Sequence, residues 1–268
     1  MKKDEIILEL KKISRELGKS PGRREIPSML NRFCVNEFGS LNNAKIKARL
    51  SIAKRKCDPL PKSAYKLDKR LVRIVSYLTF DGHLYGTLKG FHFSSNHKKD
   101  LEILREDVRR KFGVDVFTIN KGGMTGKCYR YWYFNTNISK LLHSLGTPCG
   151  DKMITKFDVP GWIKKDKELG LEYLRMAFLC EGTKYKVSKN TERIQINLNK
   201  SEEFLEDGLK FMDSLKVLLK KFGIKTTSVK ILQGNINRKK DGRTTRLLRF
   251  RILAESTDTF IKQIGWLK

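Results

Sequence analysis

The sequence repeats itself over residues 65–268, and this repetition restricts the folds open to the chain more than any other feature. Several landmarks recur in the same order, with offsets of roughly 100 to 117 residues. The matched pairs are 65–81 with 171–182, 91–104 with 194–207, 108–114 with 218–224, and 129–135 with 246–252. An ordered recurrence of this kind indicates a duplicated fold within one chain.

Each copy has the same predicted order of elements: helix, two strands, helix, two strands and helix. We therefore predict an α+β fold made of two pseudo-symmetric αββαββα halves with antiparallel sheets. The first half covers 64–146, a linker covers 147–168, and the second half covers 169–268. Residues 1–58 precede them as a small helical, helix-turn-helix-like accessory domain, which ends in a basic, proline-containing linker at 54–63.

The strands of both copies alternate between apolar and polar residues, which predicts a sheet with one covered face and one open face. In the second copy Ile194 and Ile196 lie on one face, and Arg193 and Gln195 on the other. An ordinary half-solvated antiparallel sheet would look similar. The open face, however, has the donors and amides that read base edges in the DNA major groove. The predicted DNA-contacting residues are His83, Tyr85, Lys89 and His92 in the first copy and Lys184, Lys186, Arg193, Gln195, Asn197, Lys230, Arg249 and Arg251 in the second.

The charge of the chain indicates a polyanionic partner. With 57 Lys and Arg against 29 Asp and Glu, the formal net charge is +28, and nucleic acid is the first candidate. An acidic membrane surface is the rival, but no apolar segment approaches the ~18 residues of a membrane span, and the N-terminus lacks the apolar core of a signal peptide. Five scattered cysteines without a CxxC pair argue against a zinc site or a disulfide framework. We expect a cytoplasmic, nucleoid-associated protein with reduced thiols.

An acid ends the first predicted helix of each copy, Asp81 in one and Glu181 in the other, directly before a glycine. A carboxylate at a helix C-terminus opposes the helix dipole at a cost of roughly 0.3–1 kcal/mol. If the two helices meet between the copies, both carboxylates come together, and a divalent cation such as Mg²⁺ reverses their repulsion. Metal-assisted phosphodiester hydrolysis uses such an arrangement. The alternative is that the Asp-Gly and Glu-Gly pairs are only helix stops.

The stretches IVSYLTFDG (74–82) and LRMAFLCEG (174–182) resemble the motif of the LAGLIDADG homing endonucleases, in the monomeric form with two motifs in one chain. The resemblance covers 65–268, and the N-terminal region resembles the small helical repeat that accompanies such enzymes. It implies two sheets that form a saddle over double-stranded DNA, two or more Mg²⁺ ions, and an intron-encoded, site-specific endonuclease. It also implies that Asp81 and Glu181 are the catalytic and metal-binding acids.

Two departures from the family pattern bear on these expectations. Thr79 and Leu179 replace an earlier motif acid, and Arg175 with Met176 replaces small residues where the two helices meet. Arg175 and Met176 are expected to hold the helix backbones apart. The competing expectation is a nucleic-acid-binding protein of the same fold without cleavage, either an RNA maturase that binds intron RNA or a transcription regulator.

The third predicted helix of the N-terminal domain, around 41–53, carries Lys45, Lys47 and Arg49. Cations on such a helix are expected to contact DNA phosphates, which adds affinity with little choice of base. We therefore predict that the N-terminal domain contacts DNA and takes no part in catalysis.

Overall fold

The computed structural model describes residues 1–52, 59–114, 119–122, 128–188 and 191–266. The chain divides into two compact units, Met1–Lys56 and Cys57–Lys268. Half of the predicted linker at 54–63, residues 54–58, lies outside the described residues. Within the described ranges, none of the helices is both long enough and apolar enough to span a membrane.

In its described residues, the N-terminal unit packs three helices around a small apolar core. The helices are α1 (Lys3–Leu17), α2 (Ser28–Phe38) and α3 (Leu41–Lys47). Gly39 ends α2 with a left-handed backbone (φ 75°), and the hydroxyl of Ser40 accepts a hydrogen bond from the Asn43 amide at 3.1 Å and so caps α3. A two-residue turn therefore joins α2 to α3. The buried apolar residues are Ile6, Leu10, Ile26, Leu30, Cys34, Ala44 and Ala48.

Helix α3 is shorter than the predicted third helix. It ends at Lys47, and Ala48 is its C-terminal cap. Arg49 follows with a positive φ of 58°, a conformation that no helix continues. The prediction that Arg49 lies on the third helix is therefore wrong.

The second unit contains both predicted halves. The first comprises α4 (Lys69–Thr79), β1 (His83–Leu84), β2 (Phe91–Ser95), α5 (Lys98–Phe112), β3 (Asn120–Gly122), β4 (Cys128–Tyr133) and α6 (Thr136–Ser144). A connecting segment that contains α7 (Gly161–Lys165) leads to the second half. This half comprises α8 (Lys167–Glu181), β5 (Gly182–Ser188), β6 (Thr191–Ser201), α9 (Leu205–Lys220), β7 (Lys230–Gln233), β8 (Thr245–Arg251) and α10 (Thr257–Gln263). The αββαββα order predicted for each half is confirmed.

Each half has a four-stranded antiparallel sheet with the same strand order. The order is β1-β2-β4-β3 in the first half and β5-β6-β8-β7 in the second. One face of each sheet is apolar and buried, with Phe91 and Phe93 in the first sheet and Ile196 and Phe250 in the second. Helices α5 and α9 pack on these faces. The duplication seen in the sequence therefore extends to the topology and leaves the opposite face of each sheet open.

Helices α4 and α8 pack against each other and join the two halves. The rings of Phe80, at the end of α4, and Tyr173, on α8, lie 5.7 Å apart. Arg73 on α4 donates to Glu172 on α8 at 3.1 Å and makes two hydrogen bonds of 2.6 Å to Asp107 on α5. Because both carboxylates are largely buried, removing one member would leave a buried charge unpaired, which is strongly destabilising.

The expectation that Arg175 and Met176 hold the two helices apart is wrong. The guanidinium of Arg175 lies against α10, where it donates to the carbonyl oxygens of Gln263 and Ile264 at 3.1 Å each. Met176 is buried in the core that the two halves share. Arg175 therefore binds the last carbonyls of α10 and leaves α4 and α8 in contact.

Strand β1 is shorter than the sequence alternation predicts. It covers only two residues, and Leu88 in the turn that follows has a φ of 52°. Gly86 and Gly90 frame this turn, and glycines favour turns over strands. Lys89, which is predicted to lie on the open face of this sheet, therefore lies in a turn, where it is exposed.

Candidate metal and nucleic-acid site

The glycines that follow the two acids occupy equivalent, crowded positions. A Cβ atom on Gly82 would lie 2.9 Å from Cδ2 and 3.0 Å from Cα of Leu78, four residues earlier. A Cβ atom on Gly182 would lie 2.3 Å from the carbonyl oxygen and 3.0 Å from Cα of Phe178, again four residues earlier. Any side chain would clash at either position. Glycine therefore allows the same sharp passage from helix to strand in both halves.

The two acids differ slightly in placement. Glu181 is the last residue of α8 and is half-buried. Helix α4, by contrast, ends at Thr79, because the backbone leaves helical geometry at Phe80 (ψ −89°). Asp81 lies beyond the helix and is exposed. The prediction that Asp81 belongs to the last turn of its helix is therefore wrong.

A lysine of the connecting segment binds the end of α4. The Nζ atom of Lys152 donates to the carbonyl oxygens of Gly82 (2.8 Å) and Phe80, with that of Leu78 at 3.5 Å. The last carbonyl groups of a helix have no helical donor of their own. Lys152 therefore stabilises the backbone on either side of Asp81.

Both acids act on the same two residues. Burial lowers the pKa of Lys152 below the usual lysine value, and the negative charges of Glu181 and Asp81 oppose this shift. Burial also raises the pKa of the Cys180 thiol well above its usual value, and the same two charges raise it further. The negative charges of Asp81 and Glu181 therefore both act on the ammonium of Lys152 and on the thiol of Cys180.

A second lysine holds the segment that carries Lys152, residues 149–155, which we call the clasp. Lys200, on β6, is fully buried and donates to the carbonyl oxygens of Lys152 (2.8 Å) and Thr155 (2.6 Å). Its ammonium lies 4.0 Å from the centre of the Phe157 ring, a favourable cation–π distance. Burial lowers the pKa of Lys200 to about 8. Lys200 therefore ties the clasp to the second sheet.

The loop between β7 and β8 also binds the clasp. Arg238 and Lys240 reach the carboxylate of Asp151 at 2.9 and 3.1 Å. Burial would raise the pKa of Asp151, but hydrogen bonds from Arg238 and Lys240 outweigh it and hold this pKa at about 2. From the first half, the carbonyl oxygen of Leu84 accepts a hydrogen bond from the Gly150 amide at 2.8 Å. The clasp therefore contacts both halves.

The two acids fit a divalent cation whose coordination is completed by a substrate. Among the residues that the structure describes, no group of three or more His, Cys, Asp or Glu could hold a metal ion. Asp81 and Glu181 supply hard oxygen ligands, and Mg²⁺ typically binds one or two carboxylates together with phosphate oxygens and water. The helix-end carbonyls nearby already accept hydrogen bonds from Lys152. The donor set therefore fits Mg²⁺ bound with a phosphate, and not a site built by protein ligands alone.

The open face of the second sheet carries six of the predicted DNA-contacting residues, namely Arg193, Gln195, Asn197, Lys230, Arg249 and Arg251. Directly paired residues of antiparallel strands point to the same side. The pairs Gln195–Arg251 and Asn197–Arg249 lie opposite the buried face, and Lys230 joins them by pairing with Arg249. Gln195 is only 7% exposed, and its Oε1 has no hydrogen-bond partner in the described ranges. Arg193 lies on the same face, two residues before Gln195, so this face carries three guanidinium groups, an ammonium and two amides.

Lys184 and Lys186 do not share this open face. Lys184 pairs with the buried Ile194, whereas Tyr185 pairs with Arg193. The prediction that both lysines lie on the open face is therefore wrong, and Tyr185 lies on that face instead. The lysines are exposed on the other side of the sheet. Their predicted contact with DNA assumed that they lie on the open face, so the pairing of the strands does not support it.

The open face of the first sheet is aromatic. The pairs His83–His92 and His92–Trp132 form a row across three strands. Ring centroids lie 5.4 Å apart for His83 and Tyr85, and 5.6 Å apart for Tyr85 and His92. Burial lowers the pKa of His83, and lowers that of His92 to about 4. The structure thus brings together His83, Tyr85 and His92, which the sequence analysis selected separately.

The three N-terminal cations are placed differently from one another. Lys47 and Arg49 are exposed, but Lys45 is only 6% exposed. Lys45 shares the covered side of α3 with the core residue Ala44. A phosphate contact by Lys45 would require it to leave this environment, so Lys47 and Arg49 remain the predicted contacts of this unit.

Lys152, Lys200 and Trp132 are site candidates that the sequence analysis missed. The signal for Lys152 is position, because a segment that joins two pseudo-symmetric halves passes near their seam. The signal for Lys200 is a lysine at a position of β6 where the alternation expects an apolar residue. Trp132 is the outward residue between Tyr131 and Tyr133, both of which are buried.

No family model matches the sequence. The chain is 24% identical over 240 residues to the Replication factor C small subunit of Methanocaldococcus jannaschii, a match that covers 84% of this chain and 13% of that protein. It is 30% identical over 174 residues to the tRNA-splicing ligase RtcB of Methanopyrus kandleri (59% of this chain, 17% of that protein). It is 33% identical over 129 residues to the tRNA-splicing ligase RtcB of Pyrococcus abyssi (47% and 13%). The chain thus spans 13–17% of the length of these curated relatives.

Solved structures with a similar arrangement include the homing endonuclease I-DmoI in complex with DNA and Mn. That match has a TM-score of 0.46 and 12% identity, and it covers 76% of this chain and 98% of that chain. Full-length DUF199/WhiA from Thermatoga maritima matches with a TM-score of 0.45 and 18% identity, over 78% of this chain and 58% of that chain. By its own architecture, two αββαββα halves whose packed first helices each lead into an acid and a glycine, this chain has a fold of the LAGLIDADG type.

Proposed function

We propose that this chain is a metal-dependent endonuclease that cuts double-stranded DNA at a specific site. The observation that carries the proposal is the pair Asp81 and Glu181, which lie at the ends of equivalent helices and whose negative charges both act on the ammonium of Lys152. Because the halves arose by duplication, each acid would serve one strand of the duplex. The net charge of +28 supports a polyanionic substrate, and the presence of both acids in one chain supports a monomer.

The side chains of this site would have distinct roles. Asp81 and Glu181 would hold Mg²⁺ together with a phosphate of the substrate, and the bound ion would supply an activated water and stabilise developing charge. Lys152 balances the two carboxylates before the substrate arrives and fixes the backbone beside Asp81 through its hydrogen bonds. Lys200 fixes the backbone of Lys152 by donating a hydrogen bond to its carbonyl oxygen.

A second candidate function is nucleic-acid binding without cleavage, as in an RNA maturase or a transcription regulator. Lys152 is the observation that favours it. An ammonium close to both carboxylates neutralises the repulsion that would otherwise favour a bound divalent cation. In this function Asp81, Glu181 and Lys152 would form a structural ion cluster, and the open sheet faces would bind DNA or intron RNA.

The matches to the curated relatives support the proposal that this chain is an element carried inside longer coding sequences. A replication factor subunit and a tRNA-splicing ligase share no activity by name, yet each contains a region similar to this chain. That region is 13–17% of their length. The predicted intron-encoded origin is one form of such an element.

A cleavage assay on supercoiled plasmid libraries tests the proposal. In Mg²⁺ we expect double-strand cuts at one recurrent sequence, and no cuts in chelator. Asp81→Asn and Glu181→Gln should each abolish double-strand cutting with DNA affinity in gel shifts unchanged, whereas Asp213→Asn, an exposed acid on α9, should cut like the parent. Full cutting by either acid variant would remove the assigned roles. A parent that binds DNA or intron RNA and cuts neither would establish the second function instead.

A further inference from the structure

The duplication allows the open faces of the two sheets to be compared row by row. The corresponding first rows are His83–His92–Trp132 and Thr183–Gln195–Arg251. The corresponding second rows are Ser94–Arg130–Asn120 and Asn197–Arg249–Lys230. The second rows are polar in both halves. The first rows differ, because the first half has three rings where the second half has a hydroxyl, an amide and a guanidinium.

Two more rings extend the aromatic row of the first half. The ring of Tyr85 packs on both histidines. The ring of Phe134 is nearly parallel to that of Tyr85, with centroids 6.0 Å apart and planes at 14°, and it is 60% exposed. We call His83, Tyr85, His92, Trp132 and Phe134 the ring face. A contiguous apolar surface that stays open to water usually marks a binding site.

The ring face is poorly suited to form hydrogen bonds with the edges of paired bases. The Nδ1 atom of His92 and the hydroxyl of Tyr85 lie 3.2 Å apart and bind each other. Burial lowers the pKa of His92 to about 4, so this imidazole is neutral at pH 7. Reading of the major groove relies on bidentate side chains such as arginine and glutamine, which occupy the matched row of the second half. What the ring face offers is π surface, on which an unpaired base can stack.

Cations border the ring face where a sugar-phosphate backbone would pass. Arg130 lies in the adjacent row, and its positive charge acts to lower the pKa of both Tyr85 and His92. Its Nε atom is buried without a hydrogen-bond partner among the described residues. The positive charge of Lys152 also interacts electrostatically with His83 and His92. Stacking rings beside cations are the arrangement by which proteins bind single strands.

We propose that the ring face binds unpaired nucleotides of DNA or RNA, stacking their bases on His83, His92 and Trp132 while Arg130 binds a phosphate. The second half, with its guanidinium and amide groups, would meet paired bases. This binding goes beyond the proposed cleavage and does not use Asp81 or Glu181. The binding test of this proposal therefore does not depend on whether the protein cuts DNA.

Equilibrium binding of the full chain in chelator provides this test. The probes are a perfect duplex, the same duplex with a short bulge, the same bulge made of abasic residues, and single strands of DNA and RNA. We expect the bulged duplex to bind roughly tenfold more tightly than the perfect duplex for each stacked base. The abasic bulge should lose this gain, because it keeps the phosphates and lacks the bases. The tighter of the two single strands identifies the natural source of the unpaired nucleotides.

Matched variants separate stacking from general affinity. His92→Ala and Trp132→Ala should each reduce the preference for the bulge by roughly tenfold, whereas Gln195→Ala and Arg251→Ala, at the matched positions, should weaken the perfect and the bulged duplex alike. Trp132→Phe keeps a ring and should keep the preference, while removing the quenching of tryptophan fluorescence that the bulge causes in the parent.

Three results would overturn the proposal. The first is equal affinity for the abasic and the base-containing bulge. The second is equal quenching in the parent and in Trp132→Phe. The third is a loss of base-pair preference on perfect duplexes in the His92 and Trp132 variants, because the rings would then contact the edges of paired bases.

Discussion

The Nζ atom of Lys200 lies 2.8 Å from the carbonyl oxygen of Lys152, so one buried lysine fixes the backbone of another. Burying an ammonium group is costly unless it is hydrogen-bonded, and Lys200 also binds the carbonyl oxygen of Thr155 and the ring of Phe157. The position of Lys152 beside the two acids therefore depends on a residue of the second sheet that touches neither acid.

Replacing Lys200 tests this dependence. Lys200→Ala should lower the free energy of unfolding by about 2–6 kcal/mol, because two buried carbonyl groups lose their donor at about 1–3 kcal/mol each. Urea denaturation followed by circular dichroism measures the change. Lys210→Ala, an exposed lysine on α9, should stay within about 0.5 kcal/mol of the parent. Unchanged stability in Lys200→Ala would show that other contacts hold the clasp.

The same lysine gives the stability of the protein a specific pH dependence. Its pKa is about 8 in the folded state, against 10.5 for a free lysine. Below pH 8 the ammonium is charged in both states, and the cost of burying it is fully present. As the pH rises further, the folded protein loses a proton that the unfolded chain keeps, so stability increases by up to about 3 kcal/mol.

The measurement for this pH dependence is the difference in unfolding free energy between the parent and Lys200→Met. The difference should move in favour of the parent from about pH 7.5 to about pH 10. Tyrosines that ionise in the same range affect both proteins alike and cancel. A difference that stays flat over this range would contradict the prediction.

Lys152→Met should turn Mg²⁺ into a stabiliser of the protein. Without the ammonium, the repulsion between Asp81 and Glu181 is unopposed and the carbonyl oxygens of Phe80 and Gly82 lose their donor. The metal-free variant should therefore lose about 1–3 kcal/mol of stability. A cation that binds only the folded state stabilises it by mass action. Millimolar Mg²⁺ should therefore raise the Tm of the variant more than that of the parent, and adding Asp81→Asn should cancel the difference. Equal responses of parent and variant to Mg²⁺ in calorimetry would argue against a shared cation site.

Substitution of Arg249 should relax base preference in one half of the DNA site. The Nε atom of Arg249 donates to Asn197 Oδ1 at 2.8 Å, which fixes the orientation of its guanidinium. Loss of a bidentate contact to guanine costs about 1–3 kcal/mol of discrimination. Selection from randomised duplexes should show this for Arg249→Ala, and likewise for Arg193 and Arg251. Lys184→Ala, on the other side of the sheet, should leave preference intact. A uniform loss of affinity with a smaller salt slope would identify phosphate contacts instead.

Deletion of residues 1–58 should weaken DNA binding and leave the cleavage position unchanged. Within the full chain, Lys47→Ala and Arg49→Ala should each reduce the slope of log affinity against log salt by about 1, the value for one phosphate contact. Lys45→Ala should instead destabilise the N-terminal unit, because Lys45 is buried. A displaced cut in the truncated protein would show that this unit helps to select the site.

The acid-glycine motifs could be predicted because their cause is local. At Gly82 and Gly182 a side chain would lie too close to the residue four positions earlier. Such a restriction acts within one helical turn and is therefore visible in the local sequence. The orientation of β5 could not be predicted in the same way. The alternation in Lys184, Tyr185 and Lys186 fits either face, and only the pairing of Gly182 with Ile196 fixes it.

Lys152 and the ring face depend on contacts between distant parts of the chain. Lys152 and Gly82 are separated by 70 residues, and no pattern within either segment points to the other. The rings of His83, His92 and Trp132 come from three strands, and they become one surface only through the register of the sheet. Sequence periodicity gives the face of each strand but not which residues stand side by side.

The clasp limits how the halves of such a chain can be recombined. Its backbone is held by Leu84 in the first half and by Lys200 in the second, and its carboxylate by Arg238. It is therefore not an exchangeable tether. A chimera that joins this first half to a foreign second half inherits Lys152 but loses the donors that position it. Domain shuffling between relatives would have to transfer the clasp together with the β6 lysine and the β7–β8 loop, so the heritable module is larger than either half alone.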